Sequence, residues 1–184
     1  MRIIITGGAG LIGRELAASL AADQHEVVLL SRNPEKVRGL PAGVRAERWD
    51  GRTAAGWGQL AEAAGAIVNL AGQSIAGANP LVGRWTAARK KLIVDSRVNA
   101  GQAVVAAIRA ARKKPGVLVQ SSAVGYYGPC ADEEVTEEHP AGQDFLAQVC
   151  VAWEASSAEA VNPGKMHKQM MARRRFIDES SIAC

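Results

Sequence analysis

The sequence predicts an α/β fold: a doubly wound parallel sheet with helices on both faces. Two observations carry this prediction. Short runs rich in Val, Ile, Leu and Ala recur at residues 2–6, 26–31, 44–49, 65–71 and 116–120, each about as long as a buried strand. Helical patterns at 11–22, 57–64, 86–111 and 144–158 lie between or after them, and strand–helix alternation is the signature of parallel βαβ units.

The first unit organises the rest. Arg2 to Thr6 is a β-branched run, and G-G-A-G-L-I-G-R follows at 7–14. The glycines satisfy two phosphate-binding spacings, G-x-G-x-x-G at Gly8, Gly10 and Gly13, and G-x-x-G-x-x-G at Gly7, Gly10 and Gly13. One glycine permits a backbone angle that side chains forbid, one lets the main chain approach a pyrophosphate, and one lets the helix pack closely on the strand. The amides at the helix start, those of Leu11 and Ile12 included, then face the anion. The alternative reading of this stretch is a structural turn. Leu11, Ile12, Leu16 and Leu20 share one face of the helix over 11–22, and E-V-V-L-L-S at 26–31 is the second strand.

The end of that strand bears on which dinucleotide fits. A carboxylate there would hydrogen-bond the adenosine ribose, as NAD requires. The chain has Ser31-Arg32-Asn33 instead, and a hydroxyl beside a guanidinium suits a 2′-phosphate. NADP is therefore expected in preference to NAD, against the alternative of a solvated Arg32. Asp50 follows the third strand, where it either accepts from an adenine amine or forms a turn before Gly51. Ala71 and Gly72, after the fourth strand, are placed to line the inner edge of the cofactor.

Residues 73–83 read as a loop, and Thr86 as the N-cap of the helix that follows. Its stretch carries Arg84, Arg89, Lys90 and Lys91 around its start and Arg109, Arg112, Lys113 and Lys114 at or just past its end. The second group offsets the helix dipole, and a solvated face is favoured over a nucleic-acid surface. The fifth strand ends in Ser121-Ser122-Ala123-Val124-Gly125-Tyr126-Tyr127-Gly128. Hydroxyl groups at a strand's carboxyl end point into the crevice where such sheets bind ligands, so Ser122 and Tyr127 are the catalytic candidates, against a tight turn with packed aromatics.

Composition narrows the remaining classes. The 184 residues are enough for one domain, or one domain and a tail, and 48% hydrophobic content supports a core. No apolar run reaches membrane-spanning length, and the first strand begins at residue 2, so neither a membrane span nor a signal peptide is expected. Cys130, Cys150 and Cys184 are widely spaced and form no C-x-x-C, which reads as free thiols in a reducing, cytoplasmic setting with no metal site. The net charge of +4 lies mostly at the end. Residues 1–160 hold 17 Lys and Arg against 16 Asp and Glu, and 161–184 hold 5 against 2. The body therefore gives no argument for nucleic-acid binding.

With these motifs in hand, the chain resembles an extended-type short-chain dehydrogenase/reductase, and more closely the atypical epimerase family proteins related to NAD(P)-dependent epimerases and dehydratases. The resemblance rests on T-G-G-A-G-L-I-G-R (6–14), S-R-N-P (31–34), N-L-A-G (69–72), R-W-T-A-A-R-K-K-L-I-V-D-S-R-V (84–98), S-S-A-V-G-Y-Y-G (121–128) and F-L-A-Q-V-C-V-A-W-E (145–154). It implies a Rossmann sheet over residues 1–160 and a catalytic Ser or Thr, which Ser122 matches. It also implies a Tyr-x-x-x-Lys pair on the next helix, in which the phenol exchanges a proton with a substrate hydroxyl and the ammonium lowers the phenol pKa. That pair does not occur: Leu146 falls near the Tyr position and Cys150 near the Lys position.

Past residue 161 the resemblance ends. The segment 161–184 is expected to be an atypical basic tail, helical or disordered. The usual C-terminal substrate-binding part is expected to be missing, leaving one sheet edge open. The resulting expectation is an NADP-binding protein of the epimerase, dehydratase or reductase type, acting on a small polar, nucleotide-sugar-like substrate and able to pair through the helix at 86–111. The alternatives are an NADP sensor without turnover and an inactive truncated product.

Overall fold

The computed structural model describes residues 1–76 and 86–160, and the backbone of 167–171. Arg84, Cys184 and the rest of the expected loop and tail lie outside the described residues.

Six strands form one sheet: β1 (Arg2–Thr6), β2 (Glu26–Ser31), β3 (Val44–Arg48), β4 (Ala66–Asn69), β5 (Val117–Ser121) and β6 (His167–Met171). Their order is β3-β2-β1-β4-β5-β6, and every pairing is parallel. The order reverses between β1 and β4, and that switch point opens the crevice used by doubly wound sheets. Among the described residues, three α-helices accompany the strands: α1 (Leu11–Ala22), α2 (Ala87–Ala110) and α3 (Phe145–Ala158).

Alternation along the strands sorts the core into two layers. Ile3, Ile5, Val27, Leu29 and Val68 pack with Ala17 of α1 on one face. Ile4, Val28, Leu30, Ile67 and Leu118 point the other way, onto Ala100, Val104 and Ile108 of α2 and onto Trp49 and Trp57. The helices α2 and α3 pack on each other at Gly101, where a Cβ would stand 1.9 Å from Ser156 Oγ. Thr86 caps α2 by accepting from Arg89 N at 3.2 Å, and Lys114 Nζ closes its other end on the carbonyls of Ile108 and Arg109. Arg109 pairs with Glu159, and Glu62 accepts from the amides of Arg112 and Lys113. Arg109 and Lys114 of the basic cluster are thus spent on an ion pair and on the helix terminus.

Two expectations change. The segment 57–64 is a single 3-10 turn, Gly58–Ala61, rather than a short helix. Gly58 lies against Ala54 and Ala107, and Ala63 turns left-handed at φ 56, which ends any helical run. Of the expected helical or disordered tail, the stretch 167–171 forms β6, in register with β5 from Val117↔His167 to Ser121↔Met171, and the rest lies outside the described residues. K-M-H-K-Q-M-M lacks the β-branched alternation that marks a strand, but an open parallel edge pairs through backbone groups that every residue type carries.

Candidate functional site

The site begins at the turn from β1 into α1. Gly7 sits at φ 67, a left-handed angle, and a Cβ there would stand 2.9 Å from the carbonyl carbon and oxygen of Leu70. The turn is therefore pressed onto the end of β4. Gly13 has a different task. Its Cβ would meet Gly8 Cα at 2.5 Å, so its bare backbone sets the distance between helix and turn. Arg14 pins the loop by donating to the carbonyls of Ala9 (3.1 Å) and Arg38 (2.9 Å).

Gly10 is the N-cap of α1. No side chain caps this end, and no acidic residue lies in its first turn. The first amides of α1 therefore keep their partial positive charge for an outside acceptor.

Gly7 and Gly10 form one end of an open cleft of about 970 Å³ along the strands' carboxyl ends. Gly7, Ala9 and Gly10 lead to Ser31 and Arg32 after β2, then to Asp50, Gly51 and Arg52 after β3. The inner wall is Leu70, Ala71, Gly72 and Gln73 after β4, faced by Leu92, Asp95, Ser96 and Asn99 of α2. Of the residues singled out in the sequence, Gly7, Gly10, Ser31, Arg32, Asp50, Ala71 and Gly72 share this cleft. Leu11 and Ile12 are 85% and 70% exposed at the start of α1 and are not on its lining, nor is Gly13.

Asp50 is a turn former here. Its Oδ1 accepts from the amides of Arg52 (2.7 Å) and Thr53 (2.8 Å), and its Oδ2 from the Thr53 hydroxyl (2.7 Å). Burial would raise its pKa, but these bonds from Thr53 and Arg52 outweigh it and hold the carboxyl below its usual value. The indole N–H groups of Trp49 and Trp57 both donate to the Thr53 carbonyl, which fixes the turn to the core. The turn also carries Arg52 to the cleft wall as a second cation beside Arg32, a residue the strand-end argument missed.

Under the inner wall lies a buried polar ladder. Thr6, Asn69 and Gln120 are each fully buried and lie side by side across β1, β4 and β5. Ala71 N–H donates to Thr6 Oγ1 (3.2 Å), Thr6 to Asn69 Oδ1 (2.5 Å), Asn69 Nδ2 to Gln120 Oε1 (2.8 Å), and Gln120 Nε2 to the Ser121 carbonyl (2.9 Å). Every bond runs in the same direction, from the loop after β4 to the end of β5.

At that end, Ser122 donates to Glu154 Oε1 of α3 at 2.6 Å. Tyr127 stacks edge-on with Tyr126 and His139, its ring centroid 5.3 Å and 5.9 Å from theirs. Neither Ser122 nor Tyr127 is on the lining of the cleft. Leu146 lies against Gly125, 3.4 Å from the position a Cβ there would take. Cys150 is buried, and burial pushes its thiol pKa up even though Arg97 is nearby. Glu154, the last residue of the F-L-A-Q-V-C-V-A-W-E stretch, is not among the sequence-predicted site residues. Its helical spacing from Cys150, i to i+4, is the signal that turns it toward β5.

The sequence profile of the NAD dependent epimerase/dehydratase family matches residues 3–152. The chain belongs to this family. It is 36% identical to the bovine epimerase family protein SDR39U1 over 178 residues, which is 96% of this chain and 54% of that one. Among solved structures, human SDR39U1 (isoform 2) with NADPH superposes with a TM-score of 0.68 at 31% identity, covering 90% of this chain and 52% of that one. The nucleoside-diphosphate sugar epimerase of Corynebacterium glutamicum gives 0.68 at 32% identity, covering 91% and 33%. The chain thus spans about half the length of the curated relatives it matches. No described helix is long and apolar enough to cross a membrane, and no metal-binding cluster occurs among the described residues.

Proposed function

We propose that the chain binds NADP in this cleft and serves a nicotinamide-dependent epimerase, dehydratase or reductase reaction on a small polar substrate. The observation that carries the reading is the uncapped start of α1 on a cleft whose other end presents Ser31, Arg32 and Arg52. The residues fit the group: the bare Gly7–Gly10 turn leaves room for a diphosphate, and the helix amides lack an acceptor. Arg32 and Ser31 then take the 2′-phosphate, with Ser31 Oγ already oriented by the Asn33 amide at 3.2 Å. Gly7, Gly10, Leu11, Ile12 and Gly13 form the phosphate turn, Asp50 shapes the adenosine end, and Ala71 and Gly72 line the inner end. NADPH in the human SDR39U1 structure supports NADP over NAD.

Bound there, the nicotinamide would supply the hydride chemistry. Ser122 and Tyr127 are the catalytic candidates, and the Ser122–Glu154 contact favours Ser122. With its own proton committed to Glu154, Ser122 Oγ is left with lone pairs that can accept a substrate hydroxyl proton, while its former proton passes to the carboxylate. A nucleotide-sugar substrate is supported by the name of the Corynebacterium relative. The free thiols Cys130 and Cys150 support a cytoplasmic setting.

A second reading, an NADP sensor without turnover, is favoured by Leu146 and Cys150, neither of which can do the work of a phenol and an ammonium. One titration with NADPH and NADH, followed by nicotinamide fluorescence, tests the cofactor. NADPH should bind more tightly, and Arg32→Glu should reverse the preference. Equal affinities in the wild type would overturn the NADP reading. Turnover that Ser122→Ala abolishes would sink the sensor.

A further inference from the structure

A cation lies behind the inner wall of the cleft that the cofactor reading does not use. Arg97 comes from α2, next to the cleft residue Ser96. Its Nη1 donates to the carbonyls of Gln73 (3.0 Å) and Ile93 (3.1 Å). Its Cζ is 5.0 Å from the ring centroid of Trp153 on α3. A Cβ on Gly72 would stand 3.0 Å from Cζ and 3.2 Å from both Nε and Nη2, which puts Gly72 over the face of the guanidinium. Two carbonyls, a ring and a bare backbone therefore fix the group in one pose.

Its electrostatic position is unusual. The side chain is part-buried, burial pushes its pKa down, and no carboxylate pairs with it among the described residues. A charge withdrawn from water is ordinarily offset by a partner. The Nε–Nη2 edge, which takes a carboxylate or phosphate through two parallel bonds, has no acceptor among the described residues. The ring against which Arg97 packs is in the same condition. Trp153 is 6% exposed, and its buried Nε1–H has no acceptor among the described residues. Two neighbouring donor groups on different helices thus lack an acceptor, beside the cleft wall at Gly72 and Gln73.

We propose that Arg97 forms an oxyanion subsite at the inner end of the cleft, taking a carboxylate or phosphate group of the substrate on its Nε–Nη2 edge. This rests on the cofactor reading, in which a dinucleotide fills the stretch from Gly7 to Asp50 and leaves the Gly72 end to the substrate. Glu154, one residue from Trp153, holds Ser122 at the end of β5. Gly72 contributes by omission, since a Cβ there would crowd the guanidinium at 3.0–3.2 Å.

The test titrates the NADPH-saturated protein with inorganic phosphate and, separately, with malonate, following tryptophan emission and calorimetry. One anion per chain is expected, with an affinity of about a millimolar or tighter. Binding of phosphate alone assigns a phosphate group, and binding of malonate alone a carboxylate. Arg97→Gln should weaken binding about tenfold or more, and Arg97→Lys should weaken it severalfold, because an ammonium keeps the charge but loses the paired edge. Arg109→Gln, an exposed cation on the same helix, should change nothing. The proposal is overturned if the folded wild type binds neither anion at about fifty times that concentration. It is also overturned if Arg97→Gln binds like wild type, or if the emission change survives Trp153→Phe. Should Arg97→Gln not fold, undiminished binding by Arg97→Lys overturns it equally. NADPH saturation is read separately by nicotinamide fluorescence. If NADPH does not bind, the cofactor reading fails, while the Trp153 signal in the cofactor-free protein still reports on Arg97.

Discussion

Replacing Asn69 with Leu would break the buried ladder at its middle. Leu is close to Asn in size and fits a strand, so the change is chiefly chemical. The Thr6 hydroxyl loses its acceptor and Gln120 Oε1 loses its donor, and both side chains are fully buried. An unsatisfied buried polar group costs about 1–3 kcal/mol, so two cost about 2–6. The apolar surface of Leu returns about 1–2 kcal/mol. The expected net loss is about 0–5 kcal/mol, centred on about 2–3, against the roughly 5–15 that a domain possesses. Urea unfolding followed by circular dichroism measures it. The sharper measurement is a cycle with Thr6→Val. Because Thr6 and Asn69 serve each other, the double variant should be less destabilised than the sum of the singles by about 1 kcal/mol or more. Additivity within about 0.5 kcal/mol would refute the ladder. Thr6→Val also removes the acceptor of Ala71 N–H, so it should weaken NADPH binding more than Asn69→Leu does.

Three further outcomes are expected. Gly13→Ala places a methyl 2.5 Å from Gly8 Cα, where only backbone could yield, so stability should fall by about 1–3 kcal/mol and NADPH affinity with it, although Ala is the better helix former. Denaturant melts and a cofactor titration measure the two effects. Hydrogen bonding from Arg45, with Arg2 adding its charge, holds the Glu26 carboxyl below its usual pKa. Its contribution to stability is therefore complete above the ordinary carboxylate pKa of about 4.3 and lost as pH falls through the lower folded value, and Glu26→Gln should flatten the acid limb of a stability–pH curve. Glu154→Gln keeps an acceptor for Ser122 but cannot take its proton, so any turnover should fall about a hundredfold or more with NADPH affinity unchanged, as single-turnover and binding assays would show.

What the sequence made legible was whatever depends on neighbours along the chain. The turn at Gly7–Gly13, the strand end at Ser31-Arg32 and the Thr86 cap are local, and each lies where its spacing puts it. Asp50 keeps both of its readings, because the carboxylate that accepts from the amides of Arg52 and Thr53 also lies on the lining of the cleft. The 3-10 turn at 58–61 escaped because its geometry follows from contact with Ala107, 49 positions away. The strand at 167–171 escaped because parallel pairing to a free edge asks little of side chains. Thr6, Asn69 and Gln120 looked like ordinary strand ends, since a ladder across three strands appears only once the register is known.

The helix pair α2–α3 explains why the chemistry at the inner end was the hardest to read. Arg97 and Trp153 are 56 positions apart, and Ser122 and Glu154 are 32 apart. The first spans α2 and α3 and the second ties α3 to the end of β5, so both depend on where α3 sits. That position is set at Gly101, whose missing side chain is replaced by Ser156, three residues past Trp153. A side chain at 101 would push α3 outward, taking Trp153 off the guanidinium and Glu154 off Ser122 together. The cofactor end, built on β1–α1, would not move. One substitution, Gly101→Val, should therefore separate the two halves of the site: nicotinamide binding retained, and anion binding and any turnover lost. Loss of NADPH affinity in a folded Gly101→Val chain would show that the two ends are not mechanically independent.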